Sequence, residues 1–311
     1  MPPGADPRTT AWLFPGQGAQ TVGMGRDLVD RFPAARAVFE AADTAVGFAL
    51  SDLCFAGPEE ELRQTINAQP AILTTSIAAL RAAEAAGKLT ARPVAVAGHS
   101  LGEYSALVAA GALPLEWAVR LVRERGRLMH EAGTQAPSGM AAVLNADDAL
   151  IEEVCAEAGV DVANLNAPGQ TVISGAHGPL EAAVARLKER GVRRIVSLNV
   201  SGAFHSRVMA PAADGLRAAL AEAPIADAQV PVLANVSAAP IRTAAEIRAE
   251  LIDQLCRPVR WQAIIEAMAA QGVRRYIEFG PGAVLAGLVK RIAPEAEAVS
   301  LNGAVAIEDV A

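Results

Sequence analysis

An α/β fold with a largely parallel sheet, interrupted by a small β-α-β-β-α-β insert, is predicted by three observations on the 311-residue sequence. Hydrophobic residues make up 52% of the chain but aromatics only 4%, so the apolar mass is mostly Ala, Val and Leu, as in helices packed on covered strands. Short apolar runs at residues 12–14, 94–97, 230–233 and 276–279 alternate with long Ala-rich stretches of helical period. These runs are continuous rather than alternating, which is what strands buried on both faces require. Between them, 140–144, 161–165, 171–173 and 194–198 read as strands and 147–158 and 179–190 as helices, an order that is ferredoxin-like.

Each element has its own warrant. Trp12, Leu13 and Phe14 form the first strand, and Pro15-Gly16-Gln17-Gly18 turns the chain out of it. The strand at 94–97 ends in Gly98-His99-Ser100-Leu101-Gly102, after which residues 103–110 read as a helix stopped by Gly111. A helix over 116–132 carries an apolar stripe through Trp117, Leu121, Val122, Leu128, Met129 and Ala132. Residues 133–139 supply an entry linker to the insert and Ser201-Gly202 an exit. The chain thus divides into a large domain, 1–133 with 201–311, and an inserted small domain, 134–200. The last apolar run leads into Gly280-Pro281-Gly282, a turn first and a site wall second.

Charge and cysteine usage exclude several classes. The formal charge is −7, with 27 Lys+Arg against 34 Asp+Glu and no block of like charges, so a phosphate-tracking surface for nucleic acid has no support. Cys54, Cys155 and Cys256 are far apart, odd in number and without a C-x-x-C pair, which argues against a disulfide framework and a thiolate metal site. Residues 1–11 show no basic segment followed by an apolar stretch, and no run reaches the roughly 18 apolar residues of a membrane span. A soluble, cytoplasmic protein is expected.

Strand, tight turn and helix around G-x-S-x-G form a nucleophile elbow that holds the Ser100 hydroxyl at a helix N-terminus. The plainer reading, a glycine-rich turn with an idle serine, leaves unexplained its position between a buried strand and a helix. A serine needs a base, and there are four histidines. His99 adjoins Ser100 and is expected to point away, His130 lies late in a helix, and His177 falls in the insert. His205 remains, on a loop after a strand, where α/β proteins assemble sites. Asp214, Asp227 and Asp253 are possible orienting acids by chain order, and an amide or a backbone carbonyl would serve equally.

Arg125 falls inside the apolar stripe of its helix, whereas Arg120, Arg123 and Arg127 fall mainly outside it. A guanidinium facing the core is costly without a counter-charge, and its planar fork suits a carboxylate. Either an internal ion pair with an Asp or Glu or an anionic substrate would answer that need, and Gly126 beside it permits close approach. In the first loop Thr21 takes the last place of a G-x-G-x-x-G and no Gly-Lys-Ser/Thr follows, so both nucleotide motifs fail. A backbone N–H from that loop, with that of Leu101, is placed to stabilise a tetrahedral intermediate.

With these residues assembled, the chain resembles the malonyl-CoA:acyl carrier protein transacylases and the related acyltransferase domains of polyketide synthases. The resemblance runs from Gly16-Gln17-Gly18-Ala19-Gln20 through Gly98-His99-Ser100-Leu101-Gly102-Glu103-Tyr104-Ser105 and Ala203-Phe204-His205-Ser206 to Gly280-Pro281-Gly282. It implies a hydrolase-like large domain with a ferredoxin-like insert. It also implies Ser100 as acylated nucleophile, His205 as base, Arg125 as clamp on the substrate carboxylate, and the N–H groups of Gln17 and Leu101 as oxyanion hole. Gln254 matches the family position thought to orient the histidine. Phe204 resembles the malonyl-selective members, although Ala203-Phe204-His205-Ser206 looks more like polyketide than fatty-acid enzymes. The implied partners are malonyl-CoA and a holo acyl carrier protein, and no metal or redox cofactor is implied. Because the carrier would be acidic, Lys290, Arg291, Arg274, Arg275, Arg193 and Arg194 are candidates for its docking patch. Two rival readings are a serine hydrolase that removes acyl groups from carrier proteins and a catalytically idle docking protein. The hydrolase has no clear need for Arg125, and the docking protein no reason to keep Ser100, His205 and Arg125 together.

Overall fold

The computed structural model describes residues 9–89 and 92–310. Residues 1–8, which open the predicted large domain and hold most of the segment bearing on a leader, lie outside the described residues. In chain order the strands are β1 (Thr10–Phe14), β2 (Ala95–Gly98), β3 (Ser138–Leu144), β4 (Asp161–Ala167), β5 (Gln170–Ala176), β6 (Arg194–Ser197), β7 (Val232–Leu233), β8 (Pro240–Ile241), β9 (Arg275–Phe279) and β10 (Glu297–Leu301). They form a six-stranded sheet, β10-β9-β1-β2-β7-β8, and a four-stranded sheet, β4-β5-β3-β6. The α/β class with a parallel-rich large sheet is the one the apolar runs predict.

In the large sheet five strands run parallel and β8 returns antiparallel along β7. Successive residues of β1 enter different cores. Trp12 and Phe14 pack with the Thr65–Ala85 and Leu115–Gln135 helices, while Ala11 and Leu13 pack with the Trp261–Ala270 and Val284–Ile292 helices. Both faces are covered, which is why the strand shows no polar alternation. Each large apolar side chain buried this way stabilises the fold by roughly 1.5–3 kcal/mol. Parallel register sets Phe14 against Gly98 at one edge of the sheet, and the site is built just beyond that edge.

The small sheet is antiparallel throughout, and its strand order is that of a ferredoxin-like unit. One face packs under the Asp148–Ala158 and His177–Glu189 helices through Ala141, Val143, Ile151, Val154 and Leu187. From the other face Met140, Ala163 and Val172 join the large core. Strand β4 is also tied to the large unit by backbone: Leu165 donates to the Val259 carbonyl, and Val259 donates to the Ala163 carbonyl, both at 2.9 Å.

Two expectations need correction, and one strand has no counterpart among them. The predicted linker at 133–139 does not exist as such, because the helix runs on to Gln135 and β3 begins at Ser138. Gly133 is a packing glycine, since a Cβ there would lie 2.5 Å from the Ser201 carbonyl oxygen. The predicted strand at 230–233 shrinks to two residues: Pro231 has no N–H to give, although its carbonyl accepts from Val96 at 2.9 Å. Strand β10 escapes the apolar-run criterion because it is a half-covered edge with a Glu at its start. Among the described residues, no helix is long and apolar enough to cross a membrane.

Candidate active site

Ser100 stands on the turn between β2 and the Gly102–Ala109 helix with φ of 53°. That left-handed backbone costs a non-glycine residue about 1–2 kcal/mol. The turn is tight enough to demand glycine on either side. A Cβ on Gly98 would lie 1.9 Å from Gly102, and one on Gly102 would lie 2.1 Å from the Phe14 carbonyl oxygen. Asn235, just past β7, clamps the turn from outside: its Oδ1 accepts from the Ser100 N–H at 2.7 Å and its Nδ2 donates to the Gly98 carbonyl at 2.8 Å.

His205 meets this serine from the far side of the insert, with Nε2 2.7 Å from Ser100 Oγ. Its Nδ1 lies 2.8 Å from the main-chain carbonyl of Gln254, so the ring's N–H sits at Nδ1 and Nε2 is free to accept the hydroxyl proton. Burial first, and the Arg125 charge second, push the imidazole down from 6.5 to about 3, which keeps it neutral near pH 7. The His205 loop, with φ of 55° at the histidine, is braced by the small sheet. Ala203 N donates to Ser138 Oγ at 3.1 Å, and the Arg207 guanidinium forks onto Asp161 at 2.7 to 3.1 Å. The insert therefore positions the base as well as covering the cleft.

Arg125 is fully buried. Its Nη1 donates to Gln69 Oε1 at 2.8 Å, and its Nη2 donates to Gln254 Oε1 at 2.9 Å and to Ser100 Oγ at 3.2 Å. Gly126 brings the Gln69 helix this close, since a Cβ there would lie 2.7 Å from the Thr65 carbonyl. No carboxylate touches Arg125 among the described residues. The acid that the network reaches, Glu103, is separated from it by the Gln254 amide, and burial first, with Glu250 second, pushes its carboxyl well above the usual carboxylate range. Arg120, Arg123 and Arg127 lie off the buried stripe, on the Ala45 carbonyl, the Phe48 ring, and Glu124 with Glu131 respectively.

These groups open onto a cleft of about 600 Å³ whose walls include Gln17, Ser100, Leu101, Arg125, Phe204 and His205. Gln17 is anchored by its side chain, Nε2 donating to Thr65 Oγ1 at 3.1 Å. The structure thus brings together every residue singled out for chemistry, with Gln254 behind them. It also settles where the other candidates lie. Asp214 pairs with Arg217, Asp227 caps Ala244 N and Asp253 pairs with Arg257, so none of the three orients His205. His99 is turned to Asn166 on β4, at 2.8 Å. Pro281 and Gly282 wall a separate depression with Asp27 and Asn302.

The six candidate docking cations do not line the cleft, whose cationic lining is Arg63 and Arg125. Arg275 opens β9 at the opposite end of the sheet from Gly98, and Arg291 is engaged with the Pro168 carbonyl at 2.8 Å. Sequence reasoning missed Glu103, Gln69 and Asn235. Glu103 carries the only charge in its apolar helix, and Gln69 is a polar residue inside a buried helical run. Asn235 gives no signal beyond its place after a strand.

Residues 11–305 match the acyl transferase domain family. The chain is 47% identical over 303 residues to the malonyl CoA-acyl carrier protein transacylase of Bacillus subtilis strain 168, covering 96% of this chain and 95% of that protein. It superposes with TM-score 0.93 on an acyl carrier protein S-malonyltransferase from Vibrio cholerae, at 41% identity, covering 97% of this chain and all of that one. A TM-score of 0.92, at 40% identity over 97% of this chain and 98% of that one, relates it to a malonyl-transacylase solved with its type II polyketide acyl-carrier protein.

Proposed function

Because the chain belongs to the acyl transferase domain family, we infer that it moves a malonyl group from malonyl-CoA, through an ester on Ser100, to the phosphopantetheine thiol of an acyl carrier protein. The synthesis it serves is of fatty acids or polyketides. One observation carries the substrate: a buried guanidinium 3.2 Å from the nucleophile is held by amide oxygens and a hydroxyl and by no carboxylate, so its charge is left for the malonyl carboxylate.

His205 takes the Ser100 proton at Nε2 as Oγ attacks the thioester carbonyl. The N–H groups of Gln17 and Leu101 face the developing oxyanion, and the Gln254 carbonyl steadies the imidazolium through Nδ1. Coenzyme A leaves as its thiol, with the proton returned from His205. The carrier thiol then attacks the Ser100 ester with His205 again as base, so the transfer is ping-pong. Arg125 Nε, which has no partner among the described residues, leaves the guanidinium a free donor for the carboxylate, and Phe204, buried beside His205, crowds a 2-alkyl branch. This chemistry calls for no metal or redox group, since the thioester is a substrate. The free thiols at Cys54, Cys155 and Cys256 support a reducing, cytoplasmic setting.

Incubation with malonyl-CoA followed by mass spectrometry is expected to show a malonyl adduct on Ser100, which added holo carrier protein then removes as malonyl-carrier. Predominant release of free malonate would make the protein a hydrolase instead. Absence of any adduct would make it a docking protein.

A further inference from the structure

Glu103 touches neither the nucleophile's hydroxyl nor the base, yet it is fully buried immediately behind the nucleophile and joins both halves of the site. Its Oε1 accepts from the Asn235 N–H at 3.1 Å, and Asn235 is the residue that clamps Ser100 N and Gly98 O. Its Oε2 accepts from Gln254 Nε2, in a short contact. That same Nε2 donates to the Ser100 carbonyl at 3.0 Å, while Gln254 Oε1 accepts from Arg125. A primary amide has one donor end and one acceptor end, so whichever group holds the NH2 decides what the oxygen faces.

We propose that Glu103 is a positioning residue for malonyl transfer, which by fixing the orientation of the Gln254 amide presents an oxygen rather than an NH2 to Arg125. The proposal rests on the malonyl-transfer reading above. Its physical content is a division of labour. A carboxylate placed directly on Arg125 would neutralise the cation that must bind substrate, and a buried cation with no acceptor would be costly. Interposing one amide gives Arg125 Nη2 an acceptor and keeps the acid at one remove, while Arg125 Nε stays without a partner among the described residues. Both Glu103 oxygens face N–H donors, so position 103 needs two acceptors. Glutamine offers one. The backbone N–H of Asn235 cannot turn, whereas the Gln254 side-chain amide can rotate in place, so Glu103→Gln would drive Gln254 to turn its NH2 onto Arg125.

The test compares malonyl-CoA with acetyl-CoA, which lacks the distal carboxylate, as acyl donors to wild type, E103Q and the exchanged pair E103Q/Q254E. For E103Q the malonyl-to-acetyl ratio of kcat/KM is expected to fall about tenfold or more, chiefly through KM for malonyl-CoA. The exchanged pair restores a donor-acceptor match between positions 103 and 254 but puts a carboxylate on Arg125. A glutamate at position 254 also has no donor for the Ser100 carbonyl, so acetyl transfer is expected to stay below wild type while malonyl selectivity stays lost. Equal losses for both donors in E103Q, or wild-type malonyl selectivity in the exchanged pair, would overturn the proposal. If E103Q does not fold, the exchanged pair decides alone; if neither folds, Glu103 is a structural residue and the proposal fails. Wild-type protein that takes up no malonyl from malonyl-CoA would refute the transfer reading itself, a result separate from any of these.

Discussion

Arg125 and His205 are coupled by more than proximity. The guanidinium charge is the second cause, after burial, of the low imidazole pKa, and the Arg125 Nη2 shares Ser100 Oγ with His205 Nε2. Removing the charge by Arg125→Ala is expected to lower kcat/KM for malonyl-CoA about a hundredfold or more, with a smaller loss for acetyl-CoA. Steady-state kinetics with both donors checks this, and parallel losses would contradict the clamp. The sign of the pH effect follows from the same coupling. A base works only when unprotonated, so activity is present above its folded pKa and lost as pH falls through it. With His205 pushed down from 6.5 to about 3, the acid limb of kcat/KM for acetyl-CoA is expected well below pH 6.5. In Arg125→Ala the limb moves upward, because the second-largest of the lowering causes is gone. A wild-type limb near pH 6.5 would mean that the histidine is more solvated than its burial indicates.

At the scale of elements, the elbow joins β2, the Gly102–Ala109 helix and the end of β1 with almost no space between backbones. Gly102→Ala would drive a methyl into the Phe14 carbonyl, at 2.1 Å from the ideal Cβ position. The expected result is about 1–3 kcal/mol of lost stability in urea unfolding, together with loss of Ser100 acylation that exceeds what the unfolded fraction explains. The left-handed backbone at Ser100 and His205, which Asn145 and Ala238 share among the described residues, puts strain at both positions that exchange a proton. Strand β4 is irregular for a related reason. Its pairing with β5 shifts register between Val162 and Asn164 and again between Leu165 and Ala167. Such bulges re-aim side chains, and here Asn164 lines the cleft while Asn166 reaches His99.

For the whole molecule, the insert is the element that makes two distant chain segments into one site. Ser138 and Asp161 of the small sheet hold the loop that carries His205, and Met140, Ala163 and Val172 bury the sheet's inner face against the large core. Asp161→Asn removes the charge from the fork on Arg207. Arg207 is exposed, so the cost in global stability is expected to be at most about 1 kcal/mol. Amide hydrogen exchange over residues 203–209 is expected to quicken and kcat to fall severalfold for both acyl donors. Unchanged exchange in that loop would show that packing alone holds it. The opposite large-sheet face rests on Trp261, fully buried among Leu13, Ile264 and Tyr276. Trp261→Ala is expected to cost about 3–5 kcal/mol in unfolding free energy, without bearing on donor selectivity in the fraction that stays folded.

What the sequence determined by itself was whatever depends on local pattern. Continuous apolar runs announced covered strands, the G-x-S-x-G turn announced Ser100, and the apolar period of one helix announced that Arg125 faces inward. Elimination among four histidines reached His205 because the fold class says where sites are assembled. Only the tertiary structure decided the rest. Glu103, Gln69, Asn235 and the Gln254 side chain come together from separate elements, and their hydrogen bonds depend on distances of a few ångströms that no spacing encodes. The histidine's partner is a main-chain carbonyl, which every residue possesses and no residue type can advertise. Long-range pairing of this kind is fixed by how packed layers meet, and so it becomes legible only once the chain has folded.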